Sequence, residues 1–143
     1  MMLRNKMLAG IAAAVMLAGG AALPAAAQDE VDIFGFKVPG GEALEKLIEK
    51  AQAHPLGSKE NPVRADMPGG QRAYLNRLRC ADGKRPGFFR VGSFGAGPYE
   101  RIIDGYEVTC KDSTPEKAMI FMDMYHPGHK EPAAVEGFTI KPA

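Results

Sequence analysis

Cysteine is scarce in this sequence, and its scarcity limits the chemistry that the chain can carry. Only two cysteines, Cys80 and Cys110, occur among 143 residues, and no third competes for either of them. A cysteine pair that binds a metal or takes part in catalysis is normally closely spaced, and this pair is not. We therefore expect one structural disulfide, formed in an oxidising compartment.

Recognisable catalytic motifs are also missing. We find no nucleophile elbow, no pair of carboxylates at a useful spacing and no histidine with an evident orienting acid. The glycines of VGSFGAGP, residues 91–98, are not followed by the lysine and the serine or threonine of a phosphate-binding loop. A tight or bulged β connection explains them better, and the sequence predicts a protein that is not an enzyme.

Residues 1–27 predict a secretory signal peptide. MMLRNK supplies two positive charges, LAGIAAAVMLAGGAALP is a run of small and apolar residues, and Ala25 to Ala27 provide a cleavage site of small residues. The run is short for a membrane span, which needs about 20 strongly apolar residues. We expect a periplasmic or secreted protein with no transmembrane segment after cleavage, and with no lipid anchor because no cysteine follows the cleavage site.

The next part of the chain predicts a leader and one helix. Residues 28–41 read as an extended leader with an apolar stretch at Val31 to Val38, and residues 42–143 as a single small domain. Within GEALEKLIEKAQAH, Glu42 and Lys46 form an i,i+4 pair, and the helix should end before Pro55. Its apolar residues recur at helical spacing: Leu44, Leu47, Ile48 and Ala51.

After residue 62 the pattern changes from helical to mainly alternating, with glycine, proline and Asp-Gly between the apolar runs. Short connections between these runs favour an antiparallel arrangement. We therefore predict an α+β fold, with one amphipathic helix followed by a mostly antiparallel β meander and one disulfide. The predicted strands are Val63–Asp66, Arg72–Cys80, Phe88–Val91, Arg101–Cys110, Ala118–His126 and Gly137–Ile140.

The segment IFMDMYHPGH, residues 120–129, has two interpretations. Proline and glycine in HPGH match a type II turn, in which glycine takes a positive φ at the third position. The same turn would hold the two histidine Cα atoms within about 7 Å of each other. A soft metal such as copper could then bind to Met124, His126 and His129.

Positive charge is concentrated in one region of the chain. Between residues 71 and 101 there are seven basic residues and two acidic ones. We expect the strands Arg72–Cys80 and Phe88–Val91 to form a hairpin whose solvent face binds an anionic envelope component, because arginine donates to phosphate and carboxylate in pairs. A solvated face balanced by local acids is the alternative. No specific nucleic-acid motif is present, and the anion-binding residues we predict are Arg77, Arg79, Lys84, Arg85 and Arg90.

Three stretches, YLNRLRC, GPYERIIDGYEVTC and MDMYHP, resemble a group of small exported bacterial proteins of unassigned function. The resemblance spans approximately residues 57–140. The resemblance implies a compact, disulfide-linked domain. It identifies no catalytic or binding residue in this chain.

The signal peptide leads to a direct prediction. The exported protein should begin near Gln28, and neither Cys80 nor Cys110 should react with a thiol reagent before reduction. Intact mass spectrometry of the exported protein, with and without the reagent, measures both properties. A mass that retains residues 1–27 would contradict the prediction.

Overall fold

The computed structural model describes residues 30–33 and 35–143, so the predicted signal peptide lies outside the described residues. The leader forms an antiparallel hairpin of β1 (Glu30–Ile33) and β2 (Phe36–Pro39), in which Ile33 and Val38 are buried. Helix α1 (Gly41–Ala51) follows, and the predicted ion pair between Glu42 and Lys46 is present at 2.6 Å. No helix among the described residues has the length and apolar character needed to cross a membrane.

A five-stranded sheet forms the centre of the molecule. It contains β3 (Val63–Asp66), β5 (Gly87–Ala96), β6 (Ile102–Thr109), β7 (Lys117–Asp123) and β8 (Tyr125–Lys130), in the order β5-β6-β7-β3-β8. Strands β5, β6 and β7 are successive antiparallel neighbours, as the sequence predicted. Strands β4 (Leu78–Arg79) and β9 (Thr139–Ile140) form a separate two-stranded pair.

Strand β3 separates two strands that follow each other directly in the chain. It runs parallel to β7, with Val63 opposite Met122, and antiparallel to β8, with Ala65 opposite Lys130. The chain must therefore cross the end of β3 between β7 and β8, and the carbonyl of Met124 accepts a hydrogen bond from the Met67 amide at this crossing. The predicted strand Ala118–His126 is thus two strands, and the sheet is not a simple meander.

The prediction of a strand at Arg72–Cys80 is wrong, and so is the prediction of a single helix. Residues Met67–Arg77 form a second helix, α2, and only Leu78 and Arg79 are extended. Pro68 lies in the first turn, where its missing N–H is tolerated. The buried residues along α2 and just after it recur at i, i+3, i+4 and i+7: Gln71, Tyr74, Leu75 and Leu78.

The apolar spacing of the sequence did not indicate α2, because one of the four buried residues on this helix face is polar. Gln71 is only 1% exposed, and its side-chain amide is hydrogen-bonded to two buried side chains. Gly69 and Gly70 also lower the intrinsic helix propensity of this stretch. Without Gln71, the remaining positions Tyr74, Leu78 and Cys80 fit a period of two and predict a strand.

The main core lies between α2 and one face of the sheet. Leu75 and Leu78 pack there with Val63, Val108 and Met122, all of which are completely buried. The predicted disulfide is confirmed, because Cys80 and Cys110 are bonded at the edge of this core with their Cα atoms 5.9 Å apart. In the chain-entropy model such a loop closure contributes about 3 to 4 kcal/mol, a substantial fraction of the stability of a small domain.

The opposite face of the sheet carries a second, smaller cluster around Phe94. Its ring packs edge to face on Phe121 at 5.1 Å between centroids, and Lys59 lies over both rings. The Phe94 ring occupies the space above Gly105 in β6, where a Cβ atom would come within 2.8 Å of Cδ2 of that ring. Glycine is therefore required at this position by the close approach of an aromatic ring.

This close approach predicts different effects for two glycines that face each other across β5 and β6. Gly105→Ala should lower the thermal midpoint by about 5 °C or more, because overpacking costs about 1 to 3 kcal/mol. Gly92→Ala is the matched control, since Gly92 pairs with Gly105 and nothing lies within 4 Å of the position that a Cβ atom would take there. Equal midpoints for the two variants in a thermal scan would contradict the packing described here.

Candidate functional site

The predicted basic hairpin is wrong as a structural unit. Residues Leu78 and Arg79 pair with β9, while β5 pairs with β6, so the two segments of the predicted hairpin are not neighbours in a sheet. The predicted anion-binding residues are dispersed as a result. Arg77 lies at the end of α2, Arg79 in β4, Lys84 and Arg85 in an exposed loop, and Arg90 in β5.

Arg79 and Arg90 are each engaged within the protein. The guanidinium of Arg79 donates to the carbonyls of Asn76 and Leu78, at 3.0 and 2.6 Å. Arg90 forms an ion pair with Asp104 at 2.7 Å. The exposed Lys84 lies 3.7 Å from the carboxylate of Asp82.

A cleft between α2 and β8 brings together a different set of cations. It has a volume of about 380 Å³, and we call it the cationic cleft. Gly69, Gly70 and Ala73 form its α2 side, where small residues leave the space open. Its charged lining consists of Arg64, Asp66, Arg77, His129, Lys130 and Glu131.

Tyr74 and Arg77 fix the position of α2 against the segment that follows β8. The Tyr74 hydroxyl donates to the Ala133 carbonyl at 3.0 Å and accepts from the Val135 amide at 3.1 Å, and burial raises the pKa of this tyrosine. Arg77 donates to the carbonyls of Glu131 and Lys141, at 2.6 and 3.1 Å. These acceptors are neutral, so they orient the guanidinium without neutralising its charge.

Arg64 is the cation of this cleft that sequence reasoning missed. It lies in β3 between Val63 and Ala65, which both face the core, so the alternation of VRAD places Arg64 on the other face of the strand. Its side chain is half-buried. Among the described residues no carboxylate lies within 4.0 Å of it, and it makes no side-chain hydrogen bond.

The HPGH segment forms one wall of the cleft. Tyr125 pairs with Asp66 and Lys130 pairs with Ala65, so the four residues between Tyr125 and Lys130 bulge out of the ladder. The positive φ predicted for Gly128 is confirmed, at 71°. The bulge directs His129 into the cationic cleft, where its Nε2 lies 3.3 Å from Glu131 Oε2.

Glu131 is held in its ionised form. Its contact with His129 lowers the pKa of this carboxyl below the ordinary 4.5, burial opposes that shift, and the Ala133 amide and the charge of Arg64 add to it. The carboxylate also accepts the Ala133 amide at 3.1 Å, so both of its oxygens are engaged.

His126 lies in a different environment from His129. It is 6% exposed, its Nε2 is 3.5 Å from Asp123 Oδ1, and the ring of Tyr99 packs edge to face against it. Neither His126 Nε2 nor Asp123 Oδ2 has a hydrogen-bond partner among the described residues. The two histidines therefore contact different carboxylates.

The three predicted copper ligands do not line one cleft. His126 and His129 both line a shallow depression of about 450 Å³ beside Val38 and Leu44, whereas Met124 lines a cleft on the other side of α2. The described residues contain no group of three or more His, Cys, Asp or Glu side chains placed to hold a metal ion. Copper binding through Met124, His126 and His129 remains a prediction that this arrangement does not favour.

No family model, no curated protein and no solved structure matches this chain.

The lowered pKa of Glu131 predicts an acid-sensitive contribution to stability. The folded pKa lies below 4.5, so the ionised carboxylate stabilises the fold above that pH, and the contribution is lost as the pH falls through the folded value. Glu131→Gln should therefore have a thermal midpoint that falls less steeply than that of the parent below about pH 4.5.

The exposed Glu136 provides a matched control in the same segment, and Glu136→Gln should follow the parent. Thermal midpoints between about pH 3 and pH 7 test this expectation. Parallel curves for the parent and Glu131→Gln would show that the contact with His129 does not contribute to stability.

Proposed function

We propose that this protein is a small extracytoplasmic binding domain that holds an anionic ligand in the cationic cleft. The signal-peptide pattern of residues 1–27 and the disulfide between Cys80 and Cys110 support a place outside the cytoplasm. The ligand is an envelope component that bears phosphate or carboxylate groups. The proposal replaces the predicted hairpin by a cleft and retains only Arg77 of the five anion-binding residues that the sequence predicted.

The half-buried Arg64 is the observation that carries this proposal. A guanidinium that is partly removed from water without a paired carboxylate is costly, and such a charge normally has a partner. Arg64 makes no ion pair within 4.0 Å among the described residues. The charge of Arg64 acts on Glu131 without a direct ion pair, and an anion in the cleft would supply a direct partner.

The other charged residues of the cationic cleft also favour a negatively charged ligand. Arg64, Arg77 and Lys130 carry three positive charges against the carboxylates of Asp66 and Glu131, and the second carboxylate already contacts His129. Arg77 is oriented in advance by the two carbonyl oxygens it contacts, so little side-chain freedom is lost when it binds a ligand. Planar guanidinium groups suit phosphate and carboxylate oxygens, which accept two parallel hydrogen bonds.

The test measures binding of inorganic phosphate, and of vesicles that contain phosphatidylglycerol, to the exported protein. Arg64→Gln should weaken binding at least tenfold, about 1.4 kcal/mol, because one of few ligating groups is lost. Arg85→Gln removes the same charge from an exposed loop outside the cleft and should leave binding nearly unchanged. Titration calorimetry for phosphate and co-sedimentation for vesicles provide the measurements.

Neither variant should lower the thermal midpoint of the parent, since neither side chain is buried in the core. Binding should also weaken as salt rises from low concentration to well above 0.1 M, where the screening length falls below about 10 Å. An equal loss of affinity in Arg64→Gln and Arg85→Gln would show that binding depends on net charge rather than on the cleft. No binding of either probe would contradict the proposal.

A further inference from the structure

A second cleft lies on the other side of α2 and shares no lining residue with the cationic cleft. Its volume is about 520 Å³, and we call it the aromatic cleft. It opens between the first turns of α2 and the strands β5 and β6. Its walls are largely apolar and its base is polar: the walls include Phe88, Ile102 and Tyr125, and the base includes Arg90 and Asp104. The exposed Arg72 of α2 also lines the cleft.

The base is a connected set of hydrogen bonds centred on Asp104. This carboxylate is 7% exposed, and it accepts Gln71 Nε2 at 3.0 Å on one oxygen and an Arg90 nitrogen at 2.7 Å on the other. The same Arg90 nitrogen donates to the Ser93 hydroxyl at 2.8 Å. The Tyr106 hydroxyl donates to the side-chain oxygen Oε1 of Gln71 at 2.9 Å. This bond connects the hydrogen-bond network to the core.

This network leaves donors and acceptors unused at the surface of the cleft. An arginine has five N–H donors on three nitrogens, and the hydrogen bonds of Arg90 involve only Nη2. A carboxylate has about four acceptor positions, and each oxygen of Asp104 accepts one hydrogen bond. The Arg90 side chain is 47% exposed, so a fixed donor is accessible beside a fixed acceptor.

The walls present large apolar side chains to solvent. Ile102 is 53% exposed, although isoleucine is more often buried. Phe88 packs edge to face on Tyr106, with ring centroids 6.4 Å apart, and this contact fixes the ring next to the polar base. Apolar walls around a few oriented polar groups are the usual construction of a small-molecule site.

We propose that the aromatic cleft binds a pyranose ring of a saccharide. A pyranose combines an aliphatic C–H face, which packs on an aromatic ring, with neighbouring hydroxyls that each donate and accept. Arg90 can donate to one hydroxyl while Asp104 accepts from the next. The ring of Phe88 and the exposed side chain of Ile102 then cover the apolar face of the sugar.

Two other ligand classes fit this cleft less well. A simple anion would depend on the exposed and solvated Arg72, because the charge of Arg90 is already paired with Asp104 at 2.7 Å. An extended peptide that adds to the edge strand β5 needs a regular edge, and β5 is interrupted between Arg90 and Gly92 and again between Ser93 and Ala96. The sugar requires neither an unpaired charge nor a continuous strand edge.

Saturation-transfer difference NMR on the exported protein tests the proposal with the methyl glycosides of glucose, galactose and N-acetylglucosamine. At least one of the three should show transfer that is strongest at its ring C–H protons. Sorbitol, which has the hydroxyls but no rigid C–H face, should show at most a fifth of that signal. Equal transfer to sorbitol would overturn the proposal, and so would the absence of transfer to all three glycosides.

Ile102→Ala should reduce the transfer at least fivefold, because the exposed side chain that covers the sugar is lost. Val91→Ala provides the matched control, since Val91, on β5, is also exposed but does not line the cleft. Arg90→Gln should reduce transfer as well, with near-parent far-UV circular dichroism showing that the fold is kept. Unchanged transfer in Ile102→Ala would overturn the proposal, and so would binding of a capped tetrapeptide in place of the sugars.

Discussion

The insertion of β3 between β7 and β8 is the constraint on which the rest of the structure depends. Two strands that are adjacent in the chain cannot form a hairpin when a third strand occupies the space between them. The chain therefore crosses the end of β3 at Met124, and the HPGH segment bulges where it returns along β3. Helix α2 begins at the same end of β3, directly after Asp66. One topological feature thus places α2, the bulge and Arg64 beside one another.

The contrast between two arginines explains why we assign different ligands to the two clefts. Arg90 is paired with Asp104, so the aromatic cleft offers a neutral pair of donor and acceptor groups. Arg77 contacts two carbonyl oxygens and the ring of Tyr74, all of them neutral. Arg64 has no ion pair within 4.0 Å among the described residues, so the cationic cleft retains its charge. The pairing of a charge, rather than its presence in the sequence, decides what a basic residue can bind.

Local patterns predicted α1, β3, the central antiparallel strands and the disulfide, because each depends on spacing within one segment or on a single possible pairing. They did not predict α2, because its buried stripe includes Gln71, whose partners Asp104 and Tyr106 lie more than 30 residues away. The cationic cleft escaped prediction for the same reason. The density of basic residues along the chain is highest in residues 71–101. The cleft instead combines Arg64 from β3, Arg77 from α2 and Lys130 from β8, which only the fold brings together.

The central claim is that an anion binds beside Arg64 in the cationic cleft. A titration of the ¹⁵N-labelled protein with inorganic phosphate, followed by backbone amide chemical shifts, tests it most directly. We expect saturable shifts at Arg64, at Gly69 and Gly70 of α2 and at His129 of the bulge, with none at Arg85 in the exposed loop. Shifts that do not saturate, or that are largest at Arg85, would contradict the account.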